Sequence, residues 1–351
     1  MIDLSEARLT TLAVHKVGNK SRAEGIVTAK ELFPLDEDFT PILQDYFLLP
    51  FKSDAFYQFT HETDLKFNEL YQYCRSLFEE SRETFIEHSI NILQHLYKQS
   101  GHPSIKSGEL YVAHFRECQV DGVDLEAIGI FKSENKDLFI KVEEGEDQVS
   151  LRAEEGLPIR KLDKGCLVFN TFSDEGYSIL MVDRSSENAQ YWRDDFLHVE
   201  RLQDNHYQTE SFLSMTRDFC EEVVAQEQDL KDQVVFLNKS MNYFNQNKEF
   251  ELDGFQDEVL ENPTHREQFE VFRQDYEEKT GMSPSQEGFP ISRYAVRNMR
   301  KQIKSLIKLD TQIEIKLNPR NVEEAGDFIE RGWDDQRSMY YYKVFFNEEE
   351  E

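Results

Sequence analysis

Apolar and polar side chains alternate through much of the N-terminal half of the chain, the spacing of strands with one buried face. Turn residues interrupt the alternation: Asp121-Gly122 and the triplet 174–176 are short enough to join antiparallel neighbours as hairpins. The pattern predicts strands over 9–17, 25–29, 110–120, 125–132, 138–142, 148–151, 166–172 and 178–182. We therefore expect a largely antiparallel sheet in this half.

Elsewhere the apolar positions recur every three or four residues, the period of a helix with one buried face. This pattern predicts helices over 36–47, 64–80, 82–99, 209–226, 229–246, 253–261 and 265–279, with short strands near 311–317, 327–331 and 338–346. The expected fold class is α+β. We expect an N-terminal α+β domain over 1–205, whose largely antiparallel sheet carries a helical insertion. A mostly helical domain with short strands over 206–347 and an acidic tail at 348–351 would follow.

One segment of the helical half departs from the rest of the chain in its charge. We predict a helix over 292–309, beginning at the N-cap residue Ser292 after the breakers Gly288 and Pro290. On a helix its apolar residues form a core-facing stripe, and its cations fall within roughly a third of the circumference. The segment has no Asp or Glu, and its cations are Arg293, Arg297, Arg300, Lys301, Lys304 and Lys308. One helix would therefore combine a core face with a cationic ridge.

The charge of the whole chain makes this ridge unusual. The formal charge is −29, and −29 − 6 = −35 remains when the six cations are set aside. An acidic background disfavours patch-wide binding of nucleic acid, but a local cationic site stays workable because the Debye length is about 8 Å at physiological salt. Two interpretations remain open: a surface that lies along DNA phosphates, or a solvated helix face whose charges pair with the protein's own carboxylates.

The sequence gives little support for catalysis or for a cofactor. It contains no P-loop, no GxGxxG and no GxSxG, and its closest pair of histidines on one helix face is His88 and His95. A loose group of two carboxylates and a lysine, Asp310, Glu314 and Lys316, is a match that 69 acidic residues produce by chance. We expect no enzymatic activity, no metal and no cofactor.

Cysteine usage and hydropathy indicate a compartment. The four cysteines, Cys74, Cys118, Cys166 and Cys220, form no CxxC pair, which is typical of free thiols in a reducing cytoplasm. No stretch has the apolar length of a membrane span, and the first residues lack the basic and apolar regions of a signal peptide. We expect a cytoplasmic protein without a membrane partner.

Aromatic residues cluster near the C-terminus, over 338–346. Exposed rings of this kind can stack on unpaired bases. A sheet with one face packed against helices explains the same pattern more simply, so the run does not by itself indicate a binding site.

Two segments resemble parts of a known family. Residues 13–20, with Glu24-Gly25 after them, look like the first hairpin of the bacterial nucleoid-associated protein family of the NdpA or YejK type. Residues 183–197, which include Tyr191-Trp192, look like its central region. The order of elements is similar over nearly the whole chain. The resemblance implies a cytoplasmic protein that associates with the nucleoid, binds DNA and has no enzymatic activity; it carries over no binding residues position by position.

Two functional hypotheses follow. In the first, the chain is a nucleoid-associated protein that contacts double-stranded DNA phosphates through the 292–309 helix, with weak sequence preference because Asn298 and Gln302 are its few groups suited to base readout. In the second, it is an acidic interaction module for basic partners such as DNA-topology or DNA-processing proteins. A homodimer would double the contacts of a single helix.

Overall fold

A computed structural model describes residues 2–346 and 348, apart from 54, 80–81, 145–148, 185–190, 228–229, 261, 281–287, 303–305 and 317–328. The chain forms two compact units, Met1–Leu202 and Gln203–Glu351. An antiparallel sheet dominates the first unit and helices dominate the second. The predicted α+β fold class is confirmed.

The first unit is built on one large sheet, in which the strands follow the order β11-β4-β10-β9-β6-β5-β2-β3, with β1 paired to β5. Every pairing in the described part of this sheet is antiparallel. The strands of the unit are β1 (Ile2–Asp3), β2 (Arg8–Val17), β3 (Ile26–Val27), β4 (Tyr57–Phe59), β5 (Gly108–Val120), β6 (Val123–Ser133), β7 (Asp137–Glu144), β8 (Val149–Gly156), β9 (Lys164–Phe169), β10 (Ser178–Asp183) and β11 (Val199–Arg201). β7 and β8 form a separate two-stranded sheet.

The predicted turn at Asp121-Gly122 joins β5 to β6. Val120 pairs with Val123, and both turn residues adopt positive φ, 51° and 79°. A two-residue hairpin of type I′ requires positive φ at both central positions, which Asp and Gly tolerate better than most residues. The turn chemistry in the sequence therefore sets this register.

Helices cover both faces of the sheet. They are α1 (Thr40–Leu48), α2 (Glu69–Glu79) and α3 (Phe85–Gln99). Residues of α2 and α3 share one core cluster with inward side chains of the central strands, and residues of α1 share a second cluster with the opposite face. Because both faces are covered, all six residues of β9 are buried. This explains why β9 does not show the strict alternation of a half-exposed strand.

The segment likened to a family's first hairpin is a hairpin in the structure, with Val17 of β2 opposite Ile26 of β3. The fully buried Asn19 holds the turn between them. Its side-chain oxygen accepts from the backbone N–H groups of Ser21 and Arg22, and its amide donates to two backbone carbonyls beyond the hairpin.

Six helices make up most of the described second unit: α4 (Asn205–Phe219), α5 (Ala225–Glu227), α6 (Leu230–Gln246), α7 (Leu252–Val259), α8 (Pro263–Thr280) and α9 (Arg293–Gln302). A π-helical stretch, Cys220–Val224, links α4 to α5. Their core is rich in phenylalanine, with rings of Phe212, Phe250 and Phe255 in mutual contact. Short strands form three antiparallel two-stranded sheets, β12–β13, β14–β15 and β16–β17: β12 (Glu249–Phe250), β13 (Phe289–Pro290), β14 (Leu306–Lys308), β15 (Glu314–Lys316), β16 (Ile329–Asp334) and β17 (Met339–Val344).

The prediction of one helix over 292–309 is wrong at its C-terminal end. The helix is described only to Gln302, and Leu306–Lys308 is a strand antiparallel to Glu314–Lys316. Ile307 and Ile315 are partners in the register of this pair, and both are β-branched residues, a type that favours strands. The hairpin also lets Leu309 and Ile315 pack near Val234 of α6. A helix continued to 309 would leave the alternating 311–317 segment without a neighbour to pair with.

No helix among the described residues is long and apolar enough to span a membrane.

Candidate nucleic-acid interface

Helix α9 is fixed to the second unit by its apolar face. Ala295, Val296 and Met299 are 0–2% exposed, and the helix packs against α4 and α6. Ser292 caps the start as predicted: its hydroxyl accepts from the N–H of Ala295, while its own N–H donates to the hydroxyl of Thr209 on α4. The orientation of the opposite face is therefore set by core packing.

Three of the predicted cations lie on that opposite face. Arg297, Arg300 and Lys301 are exposed. Among the residues that the structure describes, none makes an ion pair or a side-chain hydrogen bond with any of the three. They follow one another on an arc of roughly 100° at α-helical spacing. The face that they form, which we call the α9 cationic face, is open to an anionic ligand.

Arg293 lies on the same side but has another role. Its guanidinium donates to the backbone carbonyls of Phe244, Asn245 and Asn247, at and beyond the last turn of α6. The final carbonyls of a helix lack intrahelical donors and carry partial negative charge, so a guanidinium is a favourable cap. Arg293 is therefore a link between two helices more than a free cation.

The two remaining predicted cations are not on α9. Lys308 is in β14, where its backbone is paired with that of Glu314. Lys304 lies outside the described residues. The structure thus places Arg293, Arg297, Arg300 and Lys301 together on one helix and separates Lys308 from them.

Acidic side chains of the neighbouring helix α4 have partners of their own. Asp218 accepts two hydrogen bonds from Arg217, and Glu210 lies 3.8 Å from the ring nitrogen of His206. These carboxylates do not pair with α9. The interpretation in which the helix charges are neutralised by the protein's own acids finds no support on this side of α9.

Sequence reasoning missed a second feature of this unit, the exposed end of the β16–β17 hairpin. The pattern favoured a sheet packed against helices, and Ile329 and Tyr342 do pack near Val234. Trp333 and Tyr340, however, are 49% and 63% exposed, with ring centroids 4.8 Å apart. The guanidinium of Arg331 lies 4.2 Å from the Tyr340 ring centroid. The signal available in the sequence was a tryptophan and a tyrosine, Trp333 and Tyr340, placed so that they pair across the end of a hairpin.

The segment likened to the family's central region closes a buried charged network in the first unit. Lys132 and Lys164 are fully buried cross-strand neighbours, each within 5.5 Å of the Tyr191 ring centroid. Lys132 pairs with Glu134 at 2.7 Å, and Lys164 pairs with Asp183 at 2.7 Å. Burial lowers the pKa of Lys132 and raises that of Tyr191. The Tyr191 hydroxyl accepts a hydrogen bond from Lys132 and donates one to Glu134, and these bonds tie the start of the 191–197 segment to the sheet.

The histidines and cysteines have structural surroundings. His95 contacts the backbone carbonyl of Phe196 and the carboxylate of Glu69, and the described residues contain no group of three His, Cys, Asp or Glu placed to hold a metal. All four cysteines are free, as predicted, and all four are buried. Burial raises the pKa of each thiol, to about 12 for Cys118, Cys166 and Cys220.

Comparison with known proteins gives one match. A family model described as nucleoid-associated protein YejK matches residues 13–339, which include both segments that resemble such proteins and the whole of α9. No curated protein matches the chain.

Proposed function

The chain belongs to the family of the nucleoid-associated protein YejK, and from this premise we propose that it binds double-stranded DNA through the α9 cationic face. The protein would act in the cytoplasm, at the nucleoid, and would perform no catalytic step. Family membership supports association with the nucleoid and with DNA. The choice of α9 as the contact rests on this chain's own geometry.

One observation carries the choice. Arg297, Arg300 and Lys301 are exposed and lack partners among the described residues, in a protein with 69 acidic residues. The core face of α9 holds their backbone in place, so little order would have to be gained on binding. Each phosphate that a cation neutralises releases condensed counterions, and this release drives association.

The structure changes the expected salt dependence. Six cations on one helix would give a slope of log affinity against log salt of about −5, whereas three give about −3. Asn298, the group on α9 best suited to base readout, is only partly exposed. Phosphate contacts therefore dominate, and we expect weak sequence preference.

The test compares two triple charge reversals. Arg297→Glu, Arg300→Glu and Lys301→Glu together should weaken binding to a plain duplex by roughly a hundredfold or more at low salt and flatten the salt slope. The matched control is Lys16→Glu, Lys52→Glu and Lys66→Glu, which reverses three exposed lysines of the first unit. Each variant has the same net charge, −29 − 6 = −35. A general effect of added negative charge would therefore weaken both equally.

The proposal predicts a large loss for the α9 variant and a small one for the control, measured by fluorescence anisotropy with labelled duplex. Equal affinities of the two variants, with folding verified by circular dichroism, would remove α9 as the contact surface. Duplex recovered at full length after incubation with magnesium is expected for a protein without nuclease activity.

The net charge of −29 favours a second candidate, an acidic module that binds basic proteins acting on DNA. In that case the purified protein alone would not change the anisotropy of plain duplex, and the anisotropy would rise only when a basic partner is added. The same anisotropy assay, run with and without such a partner, separates the two candidates.

A further inference from the structure

The β16–β17 hairpin carries different side chains on its two faces, because successive residues of a strand point to opposite sides. The register places the members of one face together, and we call it the β16–β17 aromatic face: Ile329, Arg331, Trp333, Tyr340, Tyr342 and Val344. This face contains no carboxylate. The acids of the two strands, Glu330 and Asp334, fall on the other face, where Glu330 lies 3.8 Å from Lys343.

The aromatic face is anchored at one end and exposed at the other. Ile329 is 2% exposed and belongs to a small apolar cluster with Tyr342 and with Val234 of α6. At the turn end, Trp333 and Tyr340 keep about half or more of their surface in water. The second unit therefore holds the hairpin in place while two of its rings remain accessible.

Local contacts order the exposed end. The carboxylate of Asp334 accepts hydrogen bonds from the backbone N–H groups of Gln336 and Arg337 in the turn. On the opposite face the Tyr341 ring lies over Gly332, in the space that a β-carbon would need. A surface that is already ordered loses little conformational entropy when a ligand binds.

The exposed rings and the neighbouring cation form an open arrangement. The ring centroids of Trp333 and Tyr340 are 4.8 Å apart and their planes meet at 69°, so the rings are not stacked flat on each other. The guanidinium of Arg331 lies 4.2 Å from the Tyr340 centroid. Aromatic rings stack on nucleobases of any sequence, and a guanidinium suits both stacking and phosphate.

Two other classes of ligand fit this face less well. The exposed parts of Trp333 and Tyr340 amount to apolar area on the order of 200 Å², whereas a standard protein interface buries about 800 Å² per partner. A cationic ligand would be repelled by Arg331, the charged residue of this face. A planar ligand that carries a phosphate matches both the rings and the charge.

We propose that the β16–β17 aromatic face binds unpaired bases of single-stranded DNA, with Trp333 and Tyr340 stacking on bases and Arg331 beside an adjoining phosphate. A duplex hides the faces of its bases within its own stack, so this site and the α9 cationic face recognise different parts of DNA. Stacking at the hairpin does not require α9. Only the choice of DNA over RNA rests on the proposed function.

Tryptophan fluorescence provides the first test. The chain has two tryptophans, Trp192 and Trp333, and Trp192 is fully buried. Because a base that stacks on indole quenches its emission, saturating oligo(dT) should quench the full-length protein, and plain duplex should quench it far less. Trp333→Phe should abolish the quench, since the remaining tryptophan is out of reach.

The second test measures oligo(dT) affinity by anisotropy. Tyr340→Leu should weaken binding about tenfold, within the range found when one stacked ring is removed. Tyr340→Phe keeps the ring and should bind like the wild type. The matched control is Tyr341→Leu, which removes the same side chain from the opposite face and should also bind like the wild type. Circular dichroism verifies folding, and the wild-type quench decides the matter if Tyr340→Leu does not fold.

The triple α9 variant, with Arg297→Glu, Arg300→Glu and Lys301→Glu, separates this proposal from the proposed function. It should lose affinity for plain duplex but still show the full quench at saturating oligo(dT). A wild type that binds duplex but is not quenched by oligo(dT) would overturn the hairpin site and leave α9 as the contact.

Two further results would also overturn the hairpin site. One is a quench that disappears in the α9 variant, because the single strand would then lie on α9. The other is a quench by oligo(rU) without one by oligo(dT), which would identify RNA as the ligand.

Discussion

At the scale of single residues, a buried histidine links stability to pH. His15 on β2 is 3% exposed, and its Nδ1 accepts from the N–H of Ala29. The proton of the neutral ring is therefore on Nε2, which donates to the hydroxyl of Ser89 on α3. Burial lowers the pKa of His15 to about 4. The neutral form is required both by its surroundings and by its hydrogen bonds.

We predict that this histidine makes the first unit less stable as the pH falls from 6.5 toward 4. In that interval the unfolded chain binds a proton that the folded chain rejects, so protonation favours unfolding. The stabilisation is complete above pH 6.5 and lost by about pH 4, with a magnitude on the order of 3 kcal/mol. The measurement is the urea unfolding midpoint at pH 7 and at pH 4.5.

His15→Asn serves as the comparison, because an asparagine oxygen can still accept from Ala29 but does not titrate in this range. Its stability should vary less with pH than that of the wild type. Other groups, such as His114, whose pKa burial also lowers, contribute equally to both proteins. Parallel pH profiles would show that His15 is not the group responsible.

At the scale of elements, two arginines four residues apart on the same side of α9 have different surroundings. Arg297 projects into solvent, whereas Arg293 meets the end of α6. Neither the residue type nor the helical period distinguishes them. The position of a second helix end, separated by about fifty residues of sequence, decides which one caps and which one is free.

We predict that Arg293→Ala destabilises the second unit by about 1–2 kcal/mol, because three carbonyls at the end of α6 lose a charged donor. Arg297→Ala should change stability by less than about 0.5 kcal/mol, the usual range for a surface residue without contacts. Denaturant melts measure both. For DNA affinity the expected order is reversed, with the larger loss for Arg297→Ala. A loss of stability in Arg297→Ala as large as that in Arg293→Ala would contradict this division of roles.

At the C-terminal end of α9 the helical period of the sequence predicted the wrong secondary structure. Residues 303–309 continue the apolar spacing of the helix, yet Leu306–Lys308 pairs as a strand with Glu314–Lys316. Short apolar runs fit either period, and tertiary contacts choose between them. Here the choice depends on a partner strand that comes later in the chain and on packing near Val234 of α6.

At the scale of the whole molecule, the charge of −29 opposes compactness through self-repulsion. Added salt screens this repulsion, but it also weakens exposed ion pairs such as Arg75–Glu79. Exposed pairs contribute only about 0–1 kcal/mol each, so we expect the first effect to prevail. Raising the salt from roughly 10 mM to 150 mM, which shortens the Debye length from 30 Å to about 8 Å, should raise the melting temperature by about 2–4 °C.

Scanning calorimetry in sodium chloride and in potassium chloride tests this expectation, and equal shifts in the two salts would identify screening as the cause. DNA affinity should fall over the same range of salt. A melting temperature that falls with salt would mean that ion pairs outweigh self-repulsion in this protein.

Much of the fold could be predicted from local patterns. The alternation and turn residues of β5 and β6 determined a hairpin with a specific register, and the period of α3 or α6 determined a helix to within a few residues. Very short strands such as β4 and β11 were missed, because each consists of three residues. β4 pairs with β10, and β11 pairs with β4. Each of these strands forms because a neighbouring strand offers backbone hydrogen-bond partners.

The sequence by itself determined the fold class, the hairpin turns, the N-cap of α9 and the acid-free composition of its cationic segment, because each depends on residues adjacent in the chain. Only the tertiary structure decided which cations are free, where α9 gives way to a strand, and that five aliphatic residues of β7 and β8 are exposed. Those properties depend on which distant residues come into contact and which do not. Contacts of that kind are set by the packing of whole elements, which no local period encodes.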